Sequence, residues 1–226
     1  MMRGARVISV AAGTVVMAGL LILAVAPLAV ANEVVQWNET TMKLIEANGQ
    51  IAVVSTRTLA MVHGAIHDAL NAIDRKYDAY YFEGPADSSA SPDAAVAAAA
   101  HTVLVGLVNS FGTPAQKGAA LALAEQAYAT SMARVPAGPA RNQGVAVGRA
   151  AGAAMLALRK DDGASRDVPY TPGMGPGKWR PHPNPVPPNP PIANPDAARG
   201  YAPSSVPGWA DVTPFTLLGT IFMMRR

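Results

Sequence analysis

Prolines crowd the segment from Val168 to Pro214, and this crowding limits what the chain can fold into. Proline has no backbone donor and fixes its own φ angle, so neither a helix nor a central β-strand can form in such a segment. The segment is therefore predicted to be an extended stretch across a helical bundle, or a linker. We divide the chain into a helical bundle over 32–164 and a proline-rich extended segment with a truncated C-terminus over 165–226.

Helix signals before the proline-rich segment predict an all-α fold, a partial helical bundle of about five helices. Ser91, Thr113 and Gly138 each stand directly before a proline, an order that is typical of a helix start. Gln116 follows Thr113 at the third position and completes a capping box. Gly49 is a stop signal. The predicted helices span 37–48, 55–74, 92–109, 114–134 and 139–160.

Residue spacing indicates how the first and last of these helices pack. The buried side of the first helix is predicted to comprise Trp37, Met42, Leu44 and Ile45. Glycine recurs at every fourth position of the last helix, at Gly144, Gly148 and Gly152. Arginines on the same helix argue against a membrane span, so the glycines predict close packing against another soluble helix.

The helix predicted over 55–74 organises the rest of the bundle. Its apolar face repeats at intervals of three and four residues and comprises Leu59, Val62, Ile66, Leu70 and Ile73. Ser55 or Thr56 is predicted to cap it. The neighbouring stripe is polar and carries His63, His67, Asp68 and Asn71. After the helix, a loop packed on the bundle is predicted for the aromatic cluster of Tyr77, Tyr80, Tyr81 and Phe82.

Two interpretations of the polar stripe stay open. His63 and His67 have the spacing of two metal ligands on adjacent helix turns, and Asp68 or His101 could complete a site. The zinc-protease pattern needs a glutamate directly after the first histidine, where Gly64 stands. The favoured interpretation is that these side chains bond neighbouring helices, so no metal or catalytic site is assigned.

Residues 1–31 have the pattern of a secretory signal peptide. Arg3 and Arg6 precede a long apolar run, and Ala29-Val30-Ala31 supplies the small residues of a cleavage site. The mature protein is therefore predicted to be periplasmic or extracellular. An uncleaved membrane anchor is the alternative.

Charge and cysteine usage exclude several classes of function. Lys and Arg number 18 against 15 Asp and Glu, and two of the basic residues lie in the leader. With the remainder nearly balanced and no basic patch, nucleic acid is not expected as a partner. The chain has no cysteine, so thiol chemistry and cysteine zinc sites are excluded, and the fold must be stable by packing alone.

Five segments together resemble the N-terminal half of the bacterial vanadium-dependent haloperoxidase-related proteins, which belong to the type-2 phosphatidic-acid phosphatase superfamily. They are WNETTMKLIEANGQ (37–50), STRTLAMVHGAIHDALNAID (55–74), SPDAAVAAAAHTVLVGL (91–107), VPYTPGMGPGKWRPHP (168–183) and PGWADVTPF (207–215). The resemblance implies an exported all-α bundle. It also implies that complete members bind vanadate or phosphate, and either oxidise halides with peroxide or cleave phosphate monoesters.

The resemblance also shows what this chain lacks. The family's oxyanion site uses a lysine followed seven positions later by Arg-Pro, then Ser-Gly-His, and then a distant arginine and histidine. Lys178-Trp179-Arg180-Pro181 has the right residue types at the wrong spacing, and no serine here precedes Gly-His. No catalytic residue is carried over, and vanadate or phosphate is expected only in a complete member.

The expected function is therefore that of an N-terminal portion of a haloperoxidase-like or phosphatase-like protein, inactive alone. An exported envelope binding or scaffold domain is the first alternative, and a metal-dependent hydrolase using His63 and His67 is the second. A half-domain would leave an apolar helix face uncovered, so self-association is also expected.

Overall fold

The computed structural model describes residues 32–166, 168–169, 175–176 and 206–216. Within them the chain forms five α-helices, one short 3-10 helix and no strand, which confirms the predicted all-α fold. No described helix is both long and apolar enough to cross a bilayer. The predicted leader over 1–31 and most of the proline-rich segment lie outside the described residues. The helices are α1 (Glu33–Asn48), α2 (Ala52–Ile73), α3 (Pro92–Val108), α4 (Pro114–Arg134), α5 (Pro139–Leu158) and the 3-10 helix Pro207–Asp211. The prediction that the proline-rich segment forms no helix is wrong at this short turn, because proline at the first position of a helix needs no backbone N–H.

Helix α3 lies at the centre of the bundle and contacts each of the other four helices. Its residues from Ala94 to Ala100 are all alanine or valine, and all of them are buried. A helix that is apolar on every side is stable only when other elements surround it. The alanine run thus makes α3 the element on which the others pack.

The glycines of α5 face the backbone of α3, which confirms the predicted close helix packing. A Cβ atom at Gly144 would lie 2.4 Å from the carbonyl oxygen of Ser91, and one at Gly148 would lie 2.3 Å from that of Ala95. A Cβ atom at Gly152, one turn further along α5, would lie 2.8 Å from the Cβ of Thr102, which is also further along α3. The two helices therefore run in the same direction. Any side chain at these positions would force the helices apart.

The predicted caps are confirmed at three of the helix ends. The Ser91 hydroxyl accepts from the backbone N–H of Ala94, and Thr113 and Gln116 form the complete capping box. Gly49 ends α1 in the left-handed region, at φ 70°, where glycine pays no steric penalty.

The predicted cap of α2 is wrong. The helix begins at Ala52, and the residue before it, Ile51, supplies no side-chain bond. The Ser55 and Thr56 hydroxyls instead donate to the carbonyl oxygens of Ile51 and Val53, because serine and threonine inside a helix bond back to the preceding turn. The start of α1 also differs from the prediction. The helix begins at Glu33, four residues before the predicted start at Trp37, and Asn32 caps it.

Two predicted buried faces need correction. Met42 on α1 is 50% exposed. On α2, Val62 and Ile66 are buried as predicted, but Leu59, Leu70 and Ile73 are only half-buried, and Met61, Ala65 and Ala69 are buried in addition. Close helix contact also admits small residues such as alanine, so a pattern of large apolar residues misplaces part of the contact face. The exposed large apolar side chains are spread over α1, α4, the residue before α2 and the loop after it, and self-association stays a prediction.

Candidate functional site

The histidines of α2 bond to two different parts of the protein. His63 Nε2 lies 3.0 Å from the side-chain oxygen of Asn38 on α1. His67 Nε2 lies 3.0 Å from the backbone carbonyl oxygen of Asp78, in the loop after α2. The two imidazoles that share metal-ligand spacing in the sequence thus each hold a separate element.

Asp68 organises the loop that follows α2. Its carboxylate is buried and accepts from the backbone N–H groups of Tyr80, Tyr81 and Phe82, at 2.6, 3.0 and 2.8 Å. Asn71, one turn further along α2, donates to the carbonyl of Tyr77 and accepts from two backbone N–H groups of the same loop. The polar stripe therefore anchors the aromatic loop to the bundle.

His101 lies on α3 and takes its partners from α4. Its Nε2 is 3.1 Å from a carboxylate oxygen of Glu125, and its ring stacks on Tyr128 with 4.4 Å between centroids. Among the residues that the structure describes, no three His, Asp or Glu side chains are placed to hold one metal ion. The structure does not bring His63, His67, Asp68 and His101 together as a ligand set.

The most unusual charged cluster in the described part of the chain was not predicted. Asp162 Oδ2 accepts a hydrogen bond from Arg57 Nε at 2.8 Å, and it forms an ion pair with Arg159 Nη2, also at 2.8 Å. All three side chains are almost fully buried, with exposed fractions of 10% or less. Arg57 also donates to the backbone carbonyl of Arg159, at the end of α5. The cluster thereby ties the first turns of α2 to the end of α5.

The same cluster holds the strap, which we define as residues 206–216. The strap's Thr213 donates its N–H to the carbonyl of Asp162 at 2.8 Å. Arg159 donates to the carbonyls of Thr213 and Pro214, and its guanidinium lies 3.9 Å from the ring centroid of Phe215. Tyr80 closes the arrangement by donating to the carbonyl of Phe215. The strap is thus fastened to the bundle by charge-assisted hydrogen bonds and ring stacking.

No sequence signal could have identified this cluster. Arg57 and Asp162 are separated by 105 residues, and neither belongs to a recognisable motif. Arg159 and Asp162 have a spacing that ordinary surface ion pairs also show. Only the packing of α2 against α5 brings the three charges together.

The pKa of Asp162 lies below its ordinary value of 3.8. Burial alone would raise this pKa, but hydrogen bonds from Arg57 and the Ala164 N–H, with the charges of Arg57 and Arg159, outweigh the burial. A carboxyl whose pKa is lower in the folded protein contributes stability above pH 3.8, and that stability is lost as the pH falls through the folded pKa.

We therefore expect the free energy of unfolding of the wild type to fall more steeply with acidification than that of Asp162→Asn. The difference between the two proteins should be constant from roughly pH 5 to 7 and should shrink below pH 3.8. Urea unfolding at stepped pH values measures both curves. Parallel curves throughout the acid range would contradict the lowered pKa of Asp162.

Comparison with known proteins gives one result. The family model described as the vanadium chloroperoxidase N-terminal domain matches residues 30–204. This range includes all five helices and most of the proline-rich segment. No curated protein and no solved structure gave a significant match.

Proposed function

Because the chain belongs to the vanadium chloroperoxidase N-terminal domain family, we propose that it is the helical N-terminal part of a haloperoxidase-like or phosphatase-like protein. In this proposal it packs against a second helical domain that carries the oxyanion site, and it has no activity by itself. The family match over 30–204 and the all-α bundle support the proposal.

The buried arginine pair of the described residues does not fit a vanadate or phosphate site, and this observation carries the proposed lack of activity. A highly charged oxyanion needs several cationic donors that are free to point towards it. Arg57 and Arg159 form a cation pair, but their bonds go to Asp162 and to backbone carbonyls. The carboxylate between them would also repel an anion. Lys178 and Arg180 lie outside the described residues.

The strap supports the proposed arrangement with a second domain. Its bonds to Arg159 and Tyr80 hold the strap on the bundle from Thr213 to Phe215. A domain that followed the strap in the chain would be tethered near the aromatic loop. That placement raises the effective concentration of the second domain at the surface of the bundle.

The test is to assay the purified chain with peroxide, bromide and added orthovanadate, and separately with a phosphate monoester. We expect rates equal to those of vanadate and buffer without protein, because the buried arginine pair is already bonded to Asp162 and to backbone carbonyls. The heat-unfolded chain is the matched control. Saturable turnover that depends on both vanadate and the folded chain would overturn the proposal.

A further inference from the structure

A groove of about 760 Å³ opens beside the ends of α3 and α5, and none of the functions considered above uses it. Its lining includes buried Met61 and Leu107, half-buried Phe111 and Leu156, and the exposed side chain of Lys160. This volume is within the range of cavities that hold small molecules, roughly 300 to 1,000 Å³.

The groove has an apolar floor because α3 carries a glycine where α5 approaches it. A Cβ atom at Gly106 would lie 2.5 Å from a terminal carbon of Leu156. The floor is formed by Leu107, Phe111 and Leu156, which are side chains without hydrogen-bonding groups. A ligand that fills this space needs a correspondingly apolar body.

The charge at the mouth of the groove is positive. Among the described residues of the lining, Asp162 is the one carboxylate, and it is already bonded to Arg57 and Arg159. Lys160 and Arg166 are the exposed cations of the lining. Arg166 lies 3.9 Å from a carboxylate oxygen of Asp211, an exposed pair that water screens, and Lys160 has no ion-pair partner among the described residues. Exposed cations beside an apolar cleft attract a negative head group.

The helix ends beside the groove do not cancel this positive charge. Helices α3 and α5 both end there, and free carbonyl groups at helix ends would repel an anion. The Asn48 side chain donates to the carbonyls of Val108 and Phe111, and Arg57 donates to that of Arg159. Three of the carbonyl acceptors at and just after these helix ends are thus already occupied.

We propose that this groove binds a single-chain anionic amphiphile. The acyl chain lies along Leu107, Phe111 and Leu156, and the carboxylate or phosphate head group pairs with Lys160 and Arg166. The proposal does not depend on the family's chemistry, since it rests on the shape and charge of the groove alone.

The test measures fluorescence of a dansyl-labelled undecanoate titrated with the full chain. We expect saturable binding, which the double variant Lys160→Glu/Arg166→Glu weakens by about tenfold because the head group then meets negative charge. Arg149→Glu is the matched control, since Arg149 is exposed on α5 outside the groove lining. We expect the control to bind the probe as the wild type does.

A second variant tests the apolar floor. Gly106→Leu adds bulk to the groove, and the nearest atoms to its Cβ would be the terminal carbons of the Leu156 side chain, which can rotate away. Thermal melting should therefore show a folded protein that has lost the probe. Dodecanoate and dodecyl phosphate should displace the probe from the wild type, and dodecanol should displace it poorly. Absence of saturable binding, equal binding by the charge-reversed variant, unchanged binding by Gly106→Leu or full competition by dodecanol would each overturn the proposal.

Discussion

Replacing Asp68 with alanine should lower the free energy of unfolding by about 3 kcal/mol. The carboxylate is 1% exposed and accepts from three consecutive backbone N–H groups. Its removal leaves those donors without an acceptor, and each unpaired donor costs about 1 kcal/mol or more wherever water cannot reach it. Urea unfolding followed by circular dichroism measures the loss.

Two further variants separate the anchoring of the loop by Asp68 from a general effect of removing a negative charge. Asp68→Asn keeps one acceptor oxygen and should lose less stability than the alanine variant. Asp74→Ala removes an exposed carboxylate just after the same helix and should change stability by less than about 0.5 kcal/mol. Hydrogen exchange of the Tyr80, Tyr81 and Phe82 amides should accelerate only in the Asp68 variants. An alanine variant as stable as Asp74→Ala would contradict the anchoring role.

The elements that the sequence predicted correctly are those with local causes. A helix start such as Ser91-Pro92 or the Thr113 capping box is satisfied by bonds within four residues, so the sequence contains all the information needed. The stop at Gly49 is similar, because the left-handed conformation of a single residue ends the helix. For the glycine ridge, the spacing predicted close packing but could not name α3 as the partner.

The features that the sequence did not predict depend on tertiary contacts. The polar stripe of α2 was correctly singled out, but Asp68 and Asn71 bond mainly to backbone groups of a loop, and backbone groups have no sequence signature. The Arg57, Arg159 and Asp162 cluster forms only when α2 and α5 pack together. Met42 is apolar but lies on the solvent side, because the contact face of α1 is set by α3 and α4.

Replacing Gly148 with alanine should also destabilise the protein by about 3 kcal/mol, although alanine is the better helix former. The added Cβ would lie 2.3 Å from the carbonyl oxygen of Ala95 and 2.9 Å from both the Cβ of Ala98 and the N of Ala99. Two of these three atoms belong to the α3 backbone, so no side-chain rotation relieves the clash. The helices must separate, and the central contact of the bundle loses packing over several turns.

Gly118→Ala is the matched control, because it makes the same substitution in the interior of a helix. Gly118 lies on α4, where an added Cβ atom would meet no other part of the protein within 4 Å, so the variant should gain about 0.5 to 1 kcal/mol from helix propensity. The two variants should therefore move the melting temperature in opposite directions. If both glycines responded alike, the α3–α5 contact would not be as close as the structure shows. A loss confined to Gly148→Ala would show that backbone-to-backbone packing at α3, more than helix propensity, sets the stability of this bundle.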